Sequence, residues 1–199
     1  MTSLSETAKT GALIGLICLL CNAQGVPKPA PSPVQVHRGK SEMDGEHWTI
    51  LGVWARESYR NSFGTAMRPE LALQCIQTGD DREITLILDS GPIEEGYGGA
   101  WLRARLDGGD ALWYSWVQYS DHKSYWYSKQ ARSGDNRNGD DLPDEKADLV
   151  RALLSAKTFL IEFRPFMSAS ATVARFNLSG LRREFDKAPE CKLPSAVVE

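Results

Sequence analysis

Leu71–Leu88 reads LALQCIQTGDDREITLIL, and the spacing of its apolar residues decides the fold. Positions 71, 73 and 75 are apolar, and so are 84, 86 and 88. Side chains of an extended strand point alternately to opposite faces, so a period of two marks a half-buried strand where a helix would show 3.6. Between the two runs lies Thr78-Gly79-Asp80-Asp81. A glycine there supplies the positive φ that a tight antiparallel hairpin needs. The stretch is expected to be a β-hairpin with one face on a core.

The same short alternating runs recur on both sides of it. Strands are expected over 48–55, 71–77, 84–88, 100–106, 112–119, 125–128, 159–165 and 171–176. Asp107-Gly108-Gly109-Asp110 separates two of them as a second glycine turn. Two helical patterns interrupt the strands. Over Asp144–Lys157, Ala147, Val150, Leu153 and Leu154 form one stripe; over Leu178–Lys187, Leu178, Leu181 and Phe185 form another, stopped by Pro189. The expected class is mainly β (α+β), an antiparallel β-sandwich-like single domain with two short packing helices.

The ends carry different signals. Gly11–Leu20, GALIGLICLL, is a ten-residue run without charge, the length of a signal-peptide core and about half that of a membrane span. Small residues follow, allowing cleavage after Ala23 or Gly25, so residues 1–23 read as a signal peptide; lipidation at Cys21 is the alternative. Val26–Gly39 carries four prolines and reads as an extended tether. The expected divisions are therefore a leader over 1–23, a linker over 24–47, a β-rich domain over 48–191 and a tail over 192–199. No transmembrane span is expected in the mature chain. The 199 residues carry net charge −3, pI near 5.7 and mean hydropathy −0.36, without the basic stripe that nucleic acid binding requires.

Of four cysteines, Cys18 and Cys21 would leave with the leader. Cys75 and Cys191 remain, and an even pair in an oxidising compartment is expected to close a disulfide, the alternative being two separate buried thiols. Two Cys and the scattered His37, His47 and His122 are too few for a metal site, and no cofactor is expected. Motifs of hydrolases, P-loop enzymes and dinucleotide-binding enzymes are absent, so the chain reads as non-enzymatic. His122 is the one plausible base, in a surface turn, Ser120-Asp121-His122-Lys123; Glu94 and Glu95 adjoin in a loop. The polar stretch from Lys129 to Pro143 has a partial calcium-loop pattern, with Gly134 where the first acidic ligand belongs. Asn177-Leu178-Ser179 matches a glycosylation sequon. The densest feature is aromatic: Trp113, Tyr114, Trp116, Tyr119, Tyr125, Trp126 and Tyr127 crowd one expected hairpin. Core packing and cross-strand pairing is the first explanation, and a stacking surface for a sugar ring or protein partner is the second.

From Trp48 to Cys191 the order of elements resembles the VasI (TagO) family of type VI secretion accessory proteins. The matching stretches are Trp48-Thr49-Ile50, Pro69–Cys75, Arg105–Gly109 with Trp113 and Trp116, and Ala174–Leu181 ahead of Cys191. The resemblance implies an exported periplasmic protein that assists or regulates a type VI secretion system in the cell envelope, with secretion-system components or cell-wall material as partners. A different reading of the same residues is a periplasmic glycan-binding module, or an inhibitor of a cell-wall hydrolase, acting through the aromatic hairpin.

Overall fold

A computed structural model describes residues 33–61, 63–94, 99–131 and 146–193. In chain order the strands are β1 (Val34–Lys40), β2 (His47–Trp54), β3 (Tyr59–Arg60), β4 (Ala66–Met67), β5 (Glu70–Thr78), β6 (Asp81–Asp89), β7 (Gly99–Leu106), β8 (Leu112–Gln118), β9 (Ser124–Ala131), β10 (Thr158–Phe163) and β11 (Thr172–Asn177). Helix α1 (Lys146–Ser155) precedes β10, and α2 (Leu181–Asp186) follows β11. The hairpin at Leu71–Leu88 is β5–β6, paired Leu71 to Leu88 and Leu73 to Leu86 across a turn in which Gly79 has φ 61°. All eight expected strands are present within a few residues, and the architecture is the expected antiparallel sandwich-like domain.

Nine strands form one sheet in the order β1-β2-β5-β6-β9-β8-β7-β10-β11, every neighbour antiparallel, while β3 and β4 make a small separate hairpin. The large sheet curls back on itself. Just past β2, Ala55 bridges to Phe176 of β11, and Arg56 N–H donates to Arg175 O at 2.7 Å. Inward positions then alternate along every strand: Leu51 and Val53, Leu71, Leu73 and Cys75, Leu86 and Leu88, Leu102 and Ala104, Phe159 and Ile161, Ala174 and Phe176 are all buried. Leu149, Val150, Leu153 and Leu154 of α1, with Leu181 and Phe185 of α2, enter the same core. Both helices bury an apolar side, α1 with Leu149 in addition to Val150, Leu153 and Leu154, while Ala147 of the expected stripe is half-buried. Among the described residues no helix is long and apolar enough to cross a membrane.

Three sequence expectations change. Residues 34–40, assigned to the linker 24–47, are strand β1, so the folded domain begins ahead of Trp48. The run of prolines in this segment ends at Pro33, every residue from Val34 to Lys40 can donate its N–H, and Val34 pairs with Val53. Gly39 is not a loop residue either: the Trp48 indole lies across it, and a Cβ there would stand 2.2 Å from the ring. Second, β9 runs on to Ala131, into what reads as a polar loop. Third, α2 starts at Leu181 because Gly180 takes φ 93°, although Leu178 is still buried. The leader 1–23, the calcium-like stretch 134–145 and Glu95 lie outside the described residues.

Cys75 and Cys191 are bonded, S–S 2.06 Å, with Cα atoms 5.1 Å apart. The bond fastens the segment after α2 to β5. Beside it Thr49 Oγ1 donates to Glu190 Oε2 at 3.0 Å, a buried contact between β2 and the same segment. On the chain-entropy account, a loop of 116 residues closed this way stabilises the fold by about 5 kcal/mol. Replacing both cysteines by Ala is therefore expected to cost about 2–5 kcal/mol, lowering Tm by at least about 4 °C. Equal melting of the two proteins under non-reducing conditions would show that the bond does not support the fold.

Candidate functional site

The aromatic hairpin is β8–β9, and strand alternation divides its seven residues. Tyr114, Trp116, Tyr125 and Tyr127 point inward and are 0–3% exposed. They pack as tilted and edge-to-face rings: Trp116 to Tyr127 and Tyr114 to Tyr127 at 6.2 Å, and Tyr114 to Phe159 of β10 at 6.3 Å. These four are core, which removes them from the candidate binding surface. Trp113 and Trp126 point outward and are half-buried; Tyr119, just past β8, is 36% exposed. A bulge between Ser115 and Trp116 keeps the rings of both strands in step with the core.

The outer face continues onto strands that the aromatic count passes over. Along β7 the sequence Trp101-Leu102-Arg103-Ala104-Arg105 puts Trp101, Arg103 and Arg105 outward and Leu102 and Ala104 inward. Register then sets Trp101 beside Ser115, and Arg103 between Trp113 of β8 and Glu162 of β10. A shallow depression of about 190 Å³ lies over Trp101, Arg103, Trp113, Glu162 and Arg164. A second, of about 210 Å³, shares Arg103 and Glu162 with it and extends toward Arg105, Leu160 and Val173. Another of about 750 Å³, at the β7–β8 turn, is lined by Leu106, Leu112 and Tyr114, which have the inward parity. The signal for this face was present as a W-x-R-x-R alternation, in which the outward positions are aromatic or cationic.

Elsewhere the polar candidates serve turns. His122 has φ 59° and stands exposed in the β8–β9 turn. Asp121 holds that turn by accepting Lys123 N–H and Ser124 N–H, each at 2.9 Å, and these hydrogen bonds hold its carboxyl below the usual range. Glu94 pairs with Arg164 at 3.5 Å. Asn177 Oδ1 accepts Ser179 N–H at the corner leading to α2. Among the described residues no three His, Cys, Asp or Glu side chains converge as metal ligands.

One electrostatic conflict stands on the opposite part of the sheet. Glu70 and Asp89 are cross-strand partners on β5 and β6. Burial raises the Glu70 carboxyl first, and the neighbouring Asp89 charge raises it further; burial likewise raises Asp89. Nearby, Tyr59 donates its hydroxyl proton to Ser90 O, and burial pushes its phenol up to about 12. Tyr125 Oη accepts from Ile93 N–H at 2.9 Å and from Gln118 Nε2 at 3.0 Å. These contacts fasten the chain leaving β6 to the core.

No protein-family model, curated protein or solved structure matches the chain.

Two outcomes follow from the division of faces and from the carboxylate pair. Trp116→Ala should cost about 3–5 kcal/mol, as truncation of a large core side chain does, whereas Tyr119→Ala should stay within about 0.5 kcal/mol. Denaturant unfolding of both variants measures this, and equal losses would contradict the orientation. Glu70→Gln should stabilise the protein at pH 7 by about 0.2–1 kcal/mol, the range for opposed like charges on paired strands. A carboxyl raised on folding favours the folded state below its unfolded pKa, and that advantage is lost as pH rises through the raised value. The gain from Glu70→Gln should therefore fade on acidification through the carboxylate range. A variant less stable than the parent at pH 7 would show that Glu70 serves a favourable contact instead.

Proposed function

We propose that the protein is exported to the periplasm and acts there as a non-enzymatic accessory protein, binding a partner of a type VI secretion system in the cell envelope. The observation that carries the envelope reading is the Cys75–Cys191 bond, since structural disulfides persist in oxidising compartments and are rare in reducing ones. The leader-like stretch 1–23 supports the same placement. Assignment to secretion rests on the resemblance over Pro69–Cys75, Arg105–Gly109 and Ala174–Leu181, stretches that build a strand, a turn and a corner. A binding role suits a domain whose broad outer sheet face carries Trp101, Trp113 and Trp126 over a rigid strand framework. That face also favours a second reading, a module that binds glycan or restrains a cell-wall hydrolase.

Deletion of the gene in its host tests the secretion role. Release of the secretion tube subunit into the medium should fall several-fold and return with the full-length gene. It should not return with a gene lacking codons 2–23, whose product stays in the cytoplasm. Unchanged release from the deletion strain would overturn the secretion role.

A further inference from the structure

The outer face of β7, β8 and β10 differs in charge from the molecule that carries it. The whole chain has net charge −3. On this face and along its margin the exposed ionised side chains are Arg103, Arg105, Arg164 and, on neighbouring β11, Arg175, against Glu162 and Glu94. Only Arg164 among those arginines has an ion-pair partner among the described residues, Glu94. A guanidinium presents a planar fork of donors matched to a carboxylate, and it forms the stronger, charge-assisted kind of hydrogen bond. Arg105 and Arg175 flank Leu160 in register, one on each side, and that row is the part of the face that attracts anions.

Shape narrows the ligand. The depression at Trp101 and Trp113 holds about 190 Å³, below the roughly 300–1,000 Å³ of pockets that enclose a drug-sized molecule. It suits one ring, laid against indoles that are half-buried in strands and therefore already ordered. A second depression shares Arg103 and Glu162 with it, so the surface is a run of two adjoining sites across β7 and β10. A polymer of rings fits such a run better than a compact molecule does. Within the run the register alternates function, with Trp113 next to Arg103 and Arg103 next to Glu162. Indoles offer flat apolar area for ring faces, and the acidic Glu162 can accept hydrogen bonds from hydroxyl or amide groups.

We propose that this face binds a carboxylate-bearing glycan chain, Trp101 and Trp113 stacking on its rings while Arg103 and Arg105 hold its carboxylates. The choice of glycan rests on the envelope reading above, because the cell-wall polymer is the abundant chain of that chemistry there. It deepens the glycan-binding reading by moving the site from the two faces of the aromatic hairpin to one outer face. A nucleic acid is disfavoured by the net negative charge of the chain.

The test uses the mature full-length domain and two probes. Purified cell-wall sacculi are sedimented with the protein, and soluble muropeptide oligosaccharides are titrated against tryptophan fluorescence, with neutral N-acetylglucosamine oligomers as the comparison. Binding to the carboxylate-bearing probes is expected, at least tenfold tighter than to the neutral oligomers and weakening as salt rises. Arg103→Gln with Arg105→Gln should lose at least tenfold in affinity while melting as the parent does, since both side chains are exposed and no like charge is placed opposite Glu162. Arg103→Gln, a milder change, should fall between. Trp113→Phe should retain the fold and lose much of the fluorescence response. Absence of binding by the parent protein, equal binding of neutral oligomers, or full binding by the double arginine variant each overturns the proposal. Capture of an acidic protein by this face with no glycan affinity overturns it too. Normal secretion in the deletion strain with sacculus binding intact would remove the secretion role and leave this site standing.

Discussion

A sheet that closes on itself encloses a fixed volume, and that volume has to be filled by side chains arriving from every strand. Here closure occurs where Ala55 and Arg56 meet Arg175 and Phe176. Everything inside answers to it. Trp116, Phe159, Phe176 and the leucines of β2, β5 and β6 sit in the interior with essentially no exposure. Interiors are close-packed, so those positions are fixed in size as well as polarity. Among the described residues the buried Trp116 indole N–H has no hydrogen-bond partner, a cost in free energy that its packing offsets. Because inward positions are committed to packing, only the outward ones are open to a partner. On β7 and β8 those include Trp101, Arg103, Arg105 and Trp113.

Much of this was legible in the sequence, because strand alternation is a local property. Leu71, Leu73 and Cys75 announced an inward face, and Ile84, Leu86 and Leu88 its partner. Strand β1 was hidden by its neighbours: four prolines in one window outweighed the Val34-Gln35-Val36 alternation. The hairpin β3–β4 has two residues on each side, too few to show any period. The candidate site was harder. Counting aromatics found a real hairpin but mixed its two faces, so core residues Tyr114, Tyr125 and Tyr127 stood beside outward Trp113 and Trp126. Which residues on other strands join them depends on strand order, and the neighbours of β7 are β8 and β10, one adjacent in sequence and one fifty residues on. No local pattern carries that information.

Turn residues here also act as long-range fasteners. The Asp107-Gly108-Gly109 turn joins β7 to β8, with Asp107 itself at φ 44° and Gly108 at φ 77°. The Asp107 carboxylate reaches across to accept Lys157 N–H at 2.9 Å and Thr158 N–H at 2.7 Å, at the junction of α1 and β10. Those hydrogen bonds hold its carboxyl below the usual range. Asp107 N–H in turn donates to Thr158 O at 3.1 Å. The outer face therefore has a firm margin where β7 and β10, the strands that carry Arg103 and Glu162, are clamped at one end.

The disulfide has a consequence for how the chain is oxidised. Four thiols can combine into two bridges in three ways. Under the export proposed above, removal of residues 1–23 would leave Cys75 and Cys191 as the cysteines of the sequence, and oxidation would have a single intramolecular product. No reshuffling step stands between the first bond and the correct one. The second thiol lies 116 residues after the first, so in a chain threaded N-terminus first Cys75 waits until almost all of the domain has emerged. The covalent link is then a late event that follows assembly of the strands. Cleavage under that proposal would thus do more than release the protein: it would delete the two cysteines that could have trapped Cys75 in a wrong partnership while it waited.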